Sequence, residues 1–141
     1  MKVIWLIIAV YCMTWSLQAQ NAQDLEGIWL RGDKKNYKVE MYPCGDEYCG
    51  KIIWLKEPND EHGKPRTDSN NRDPSKRGQP LLGLDVLIGF KFDGKAWKGG
   101  KIYSFNRGKY YDAQIKMKEE KLYLTVSILF FSKTYTWLRP E

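Results

Sequence analysis

The sequence predicts an all-β fold, an up-and-down antiparallel barrel of about eight strands with one long flap loop. Three observations predict it. Apolar and polar residues alternate over short stretches, turn residues separate those stretches, and no long segment repeats its apolar residues at the helical period. Eight consecutive strands with short turns fit a meander, and closing the meander removes the unpaired edges that an open sheet would expose. A two-layer sandwich is the alternative architecture.

The first strand holds Gly27-Ile28-Trp29-Leu30 and stops at Gly32-Asp33. The second sets Tyr37, Val39 and Met41 against Lys38, Glu40 and Tyr42, and Pro43 ends it. Gly45-Asp46-Glu47 turns the chain into a third strand, Tyr48 to Leu55, with Ile52 and Trp54 on one face. The fourth places Val86, Ile88, Phe90 and Phe92 together and turns at Asp93-Gly94. The fifth covers Ala96 to Tyr103. In the sixth, Tyr111, Ala113, Ile115 and Met117 alternate with Asp112, Gln114 and Lys116, the period of a half-buried strand. The seventh carries Leu122, Leu124 and Val126, and the eighth runs from Thr134 to Arg139.

Residues 56–85 break the pattern of short turns. They are rich in Asp, Asn, Pro, Gly and charge, and a loop this long in a small domain is usually functional or disordered. The stretch ends on the apolar Pro80-Leu81-Leu82-Gly83-Leu84, which predicts an ordered flap docked on the barrel through one helical turn.

The first residues form a separate unit. Met1-Lys2 is followed by an uncharged run from Val3 to Met13 and then by Ser16-Leu17-Gln18-Ala19, the layout of a cleavable secretory signal. The apolar run is too short for a membrane span, which needs roughly 20 apolar residues. The sequence therefore predicts a signal peptide over 1–19, a single domain over 20–141, and a periplasmic or secreted location. The formal net charge of +6 falls by one when Lys2 leaves. The remaining acids are interspersed among the bases, so there is no basic arm for nucleic acid. Cys12 leaves too, and Cys44 and Cys49 remain. An even count in an exported chain reads as a disulfide. Half of a metal site is the alternative, but His62 is the single histidine.

Gly27-Ile28-Trp29 resembles the Gly-x-Trp signature that opens lipocalin barrels. Lipocalins also place an arginine near the chain end over that tryptophan, and Trp137-Leu138-Arg139 makes Arg139 the matching residue. A wider resemblance, to the bacterial family catalogued as domain of unknown function 2147, covers nearly the whole mature chain. It is carried by Cys44, Cys49-Gly50-Lys51-Ile52, Trp54-Leu55, Gly63-Lys64-Pro65, Thr67-Asp68, Asn70 and Arg77. It continues through Leu81 to Leu84, Gly99-Gly100-Lys101-Ile102-Tyr103, Thr136-Trp137 and Arg139. The resemblance implies an exported lipocalin-like barrel and no particular activity. Ser104-Phe105 and Ile128-Leu129-Phe130-Phe131-Ser132 depart from the family, which tends to have Asp-Pro and glycines there.

No serine has a histidine partner at a triad-like spacing, so no catalytic residue is predicted. Asp60-Glu61-His62 reads as a solvated loop tip, since adjacent side chains on an extended loop diverge. No metal or cofactor is expected. Asp68, Asn70, Asn71, Asp73 and Arg77 are first of all turn-capping residues. An Asp68–Arg77 pair would hold the flap closed, or the two would orient a ligand. Trp54, Asp68, Asn70, Arg77, Trp97 and Tyr103 form the predicted ligand site, with the open barrel end under the flap. The leading functional expectation is a carrier or sensor for an apolar or amphipathic molecule of fatty-acid or small-isoprenoid type. The second is an interaction protein with a filled barrel and a partner-docking flap, and an enzyme comes third.

Overall fold

Eight antiparallel strands close into one barrel, each paired with its sequence neighbours and the first with the last. The computed structural model describes residues 19–141, so the expected signal peptide lies outside the described residues except for Ala19. The strands are β1 (Gly27–Arg31), β2 (Tyr37–Cys44), β3 (Glu47–Leu55), β4 (Asp85–Phe92), β5 (Trp97–Ser104), β6 (Lys109–Lys118), β7 (Lys121–Ile128) and β8 (Phe131–Leu138). Closure is short: Leu30 pairs with Leu138 and Arg31 with Trp137.

Alternation places the core as expected on β2, where Tyr37, Val39 and Met41 are buried, and on β7, where Leu122, Leu124 and Val126 are. Trp29, Phe90, Trp97, Ile115, Leu124 and Trp137 are among the large side chains that fill the interior. Burying a large apolar side chain of this kind stabilises the fold by about 1.5–3 kcal/mol.

Two strands depart from the expected phase. The β2–β3 register slips between Lys38 and Val39, leaving Ile53 as the extra residue. A bulge of this kind flips the side chains beyond it. Ile52 therefore faces the core, Trp54 is turned out at 39% exposure, and Leu55 takes the inward place. On β4 the register with β3 shifts twice, so that Leu87 is buried and Ile88 only partly so.

The β3–β4 connection is ordered. Bridges join Asn59 to Pro65 and Thr67 to Pro80. Leu81 is buried, and the flap's end is tied to β3 by Ile52 N to Leu84 O (2.9 Å) and Gly83 N to Ile52 O (2.7 Å). The helical turn expected at Pro80–Leu84 is not there. The flap's one 3-10 turn is Pro74–Lys76, because Asp73 caps it by accepting from Ser75 N, at 3.0 Å, with proline just inside.

The barrel end away from the flap is plugged. A 3-10 turn, Ala22–Leu25, buries Leu25, and Trp29 Nε1 donates to the Leu25 carbonyl at 2.8 Å. The Arg139 guanidinium carbon lies 3.7 Å from the Trp29 ring centroid. Its amino groups donate to the carbonyls of Glu26 (2.9 Å), Ile28 (3.3 Å) and Asp24 (3.0 Å). Cys44 and Cys49 form a disulfide across the β2–β3 turn at the same end, with Cα atoms 5.9 Å apart.

Candidate binding site

With one end plugged, strand direction puts the β1–β2, β5–β6 and β7–β8 turns at the other end together with the flap. A cleft of about 210 Å³ opens there. Ile102, Leu124, Val126 and Ile128 supply aliphatic lining. Tyr37, Tyr103, Phe105, Tyr111, Tyr135 and Trp137 supply aromatic lining. The polar lining includes Arg31, Lys34 and Arg107, and among the described residues no carboxylate lines the cleft.

These positions follow from the local sequence. Inward places at the strand ends are aromatic, and bases occupy the adjoining turns. Tyr37 packs edge-on against Phe105 and Trp137, with ring centroids 5.5 and 5.4 Å apart. Burial raises the Tyr37 pKa above its ordinary value against the opposing pull of Arg31, so the hydroxyl stays protonated. Arg31 holds both carboxylate oxygens of Asp33, at 2.7 and 3.1 Å, and stands over the Tyr135 ring at 5.0 Å. Arg107 donates to the Tyr111 hydroxyl at 3.3 Å. The indole N–H of Trp137 is buried without a hydrogen-bond partner among the described residues.

Of the six residues expected to bind ligand, Tyr103 alone lines the cleft. Asp68 is wholly buried and accepts from Tyr103 (2.9 Å), Asn71 (2.8 Å) and Gln79 (3.2 Å). It pins the flap to β5. Burial first, and the hydrogen bond to Asp68 second, push the Tyr103 pKa up to about 12. The expected Asp68–Arg77 pair does not form, since Arg77 Nε donates instead to the Asn71 carbonyl at 2.7 Å inside the flap. Asn70 donates to the Phe105 carbonyl at 3.2 Å, a second tie between flap and barrel. A Cβ on Gly108 would overlap the Asn70 carbonyl, so only glycine admits the flap this close. Trp54 lies on the outer face beneath Lys38, and Trp97 is buried beside Phe92. Asp60 accepts from the backbone of His62 and Lys64, a turn-forming role.

Sequence reasoning missed Arg31, Lys34, Arg107, Tyr111 and Tyr135. Arg31, Lys34, Arg107 and Tyr111 share a signal of position, each standing in or near a turn at the flap end, whereas Tyr135 lies mid-strand on β8 opposite Leu124. The cleft opens among the β1–β2, β5–β6 and β7–β8 turns, and a second hollow of about 730 Å³ lies between the flap and the barrel, where Asp68 and Tyr103 line it with Gln79, Ile88 and Tyr110.

The chain matches the model of a family described as an uncharacterized protein conserved in bacteria, DUF2147, over residues 27–139. Among solved structures it is similar to protein HP1028 from the human pathogen Helicobacter pylori, described as belonging to the lipocalin family. The identity is 25%, the TM-score 0.72, and 83% of each chain is covered. No curated protein matches the chain.

Proposed function

The chain belongs to the DUF2147 family of bacterial proteins and has a lipocalin-like barrel, and from that premise we propose that it is an exported binding protein for a small amphipathic anion. The observation that carries this reading is the lining of the cleft. Its walls are aromatic and aliphatic, its charged groups are three bases, and among the described residues it has no acid. Apolar walls with a few placed polar groups are the ordinary design of a small-molecule site.

Size narrows the ligand. Sites for drug-sized ligands hold roughly 300–1,000 Å³, and this cleft holds about 210 Å³. A single ring or a short chain fits, whereas a long fatty acid or an isoprenoid does not. The acid head meets Lys34 and Arg107 at the rim. Arg31 is already paired with Asp33, which offsets its charge, so Lys34 and Arg107 are the bases left for the ligand. Export accords with the disulfide and with the signal-like first 19 residues. Intact mass from the native host should then show a chain beginning near Gln20, and a soluble chain retaining Lys2 would count against export.

Calorimetric titration with octanoate, octanol and palmitate tests the ligand class. Octanoate should saturate one site. Octanol should bind more weakly, and palmitate should not fit. Arg107→Ala should weaken octanoate roughly tenfold, the loss expected of one charge-assisted hydrogen bond. Absent octanoate binding, or equal affinity for octanol, would sink the reading and favour an interaction protein with a filled barrel.

A further inference from the structure

The β7–β8 hairpin ends in an apolar tip. Ile128 pairs with Phe131, so Leu129 and Phe130 form a two-residue loop. Leu129 is 92% exposed, Phe130 fully so and Phe131 63%. Three consecutive large apolar side chains stand in water, whereas most of the molecule's other exposed apolar residues are single. The loop is also conformationally unsuitable for its residues. Leu129 sits at φ 50°, in the left-handed region, where two-residue hairpins ordinarily use glycine, asparagine or aspartate. Neither folding nor solubility calls for this loop.

Charge says what it meets. The tip stands at the mouth end of the barrel. Its neighbours around the rim are the β1–β2 turn, with Lys34 and Lys35 exposed, and the β5–β6 turn, with Arg107 exposed. Lys133 follows the tip on β8 and is exposed. The acid on this side, Asp33, is neutralised by Arg31. Of the exposed flap acids, Asp60 and Glu61 lie on the β3–β4 connection, which stands opposite the β7–β8 hairpin in the strand order. Glu57 borders the same hollow as Lys34 but shares it with Lys56 and Arg66, and Asp73 shares a hollow with Arg72, Lys76 and Lys109, so each of these two acids has bases beside it. A projecting apolar point ringed by bases is complementary to a bilayer: the point enters the acyl boundary and the bases meet anionic headgroups. A protein groove would match the apolar tip but gives no reason for bases on both flanking turns.

We propose that the Leu129-Phe130-Phe131 tip and the surrounding bases dock the barrel, mouth first, on an anionic lipid surface. The tip residues Leu129, Phe130 and Phe131 lie outside the cleft lining, whereas Lys34 and Arg107 border both, so the proposal is tested at the tip alone. Docking presents the cleft to the membrane and gives an amphipathic molecule a path between the two.

Co-sedimentation of the mature chain with phosphatidylglycerol and with phosphatidylcholine vesicles at low salt tests this. The chain should partition onto phosphatidylglycerol vesicles, with little on phosphatidylcholine, and salt should release it. Leu129→Gly with Phe130→Ser restores an ordinary hairpin loop, so the variant should melt no lower than wild type. It should bind at least about tenfold more weakly, since two large apolar side chains no longer insert. Phe130→Trp should show an emission blue shift on vesicles and quenching by brominated acyl chains. No partition by wild type would overturn the proposal, as would undiminished binding by the folded double variant. Dimerisation through the tip without vesicle binding would overturn it too, assigning the tip to a second copy of the chain.

Discussion

Arg139 holds the two chain ends together through its geometry as much as its charge. Three backbone carbonyls accept from its guanidinium while its face lies on the Trp29 ring. Lysine has the charge and lacks the planar fork. Arg139→Lys should therefore cost roughly 1.5–3 kcal/mol, the range for hydrogen bonds to a charged group. Trp29→Ala removes the buried ring itself and should cost about 3–5 kcal/mol. Urea unfolding checks both, and a neutral Arg139→Lys would show that charge alone holds the plug. This pair was legible in the sequence because both residues sit in short signatures. Asp68 was legible as important but not in its role. Its partners Tyr103 and Gln79 lie 35 and 11 residues away, and no local pattern announces such a bond. The tyrosines make this testable. Tyr103 and Tyr42 are both held at about 12, Tyr42 by donating to Asp85 at 2.6 Å and secondarily by burial. Spectrophotometric titration should show a late class of phenols. Asp85→Asn should move Tyr42 out of it and leave Tyr103 inside. A raised tyrosine pKa stabilises the fold below pH 10, and that contribution is lost as the pH climbs through about 12.

Turns and bulges decide what each strand does. Alternation and the turn residues between stretches together located all eight strands, and alternation misassigned faces where a bulge intervened. Trp54 is the clearest case: the slip at Lys38/Val39 depends on the pairing of two strands, which neither strand's sequence reveals. The β2–β3 turn carries the disulfide expected from two cysteines in an exported chain. Closing so short a loop constrains the unfolded chain by about 2 kcal/mol, so reduction should lower the denaturation midpoint and leave the barrel folded. The β4–β5 turn predicts a pH dependence. Asp93 is held far below the usual carboxylate range by Lys98, at 2.9 Å, and by the amides of Ala96 and Lys95. A depressed carboxylate stabilises the fold above its unfolded pKa near about 3.9, and the contribution is lost as the pH falls through the folded value. The melting temperature should drop below pH 4, and Asp93→Asn should flatten part of that slope. An unchanged slope would move the acid sensitivity elsewhere.

For the molecule as a whole, the strand count predicted the closed barrel, but whether the barrel is hollow depends on how side chains from eight strands share one interior. That sharing is a three-dimensional packing result. Gly100, for example, is small because the Phe90 ring occupies the space a Cβ would take. Large aromatics fill most of the interior and leave the mouth cleft, so capacity and stability should trade against each other. Leu124 is the residue at which to test this, being buried and part of the cleft lining. Leu124→Ala deepens the cleft and should cost about 2–5 kcal/mol, the spread reflecting how far neighbours collapse into the space. Urea unfolding gives the cost. A series of carboxylates of increasing chain length gives the capacity, and the longest acid bound should lengthen by two or three carbons. If Leu124→Ala loses stability in that range with no change in the preferred length, the cleft is a dimple in a filled barrel, and the binding role would rest on the outer surface.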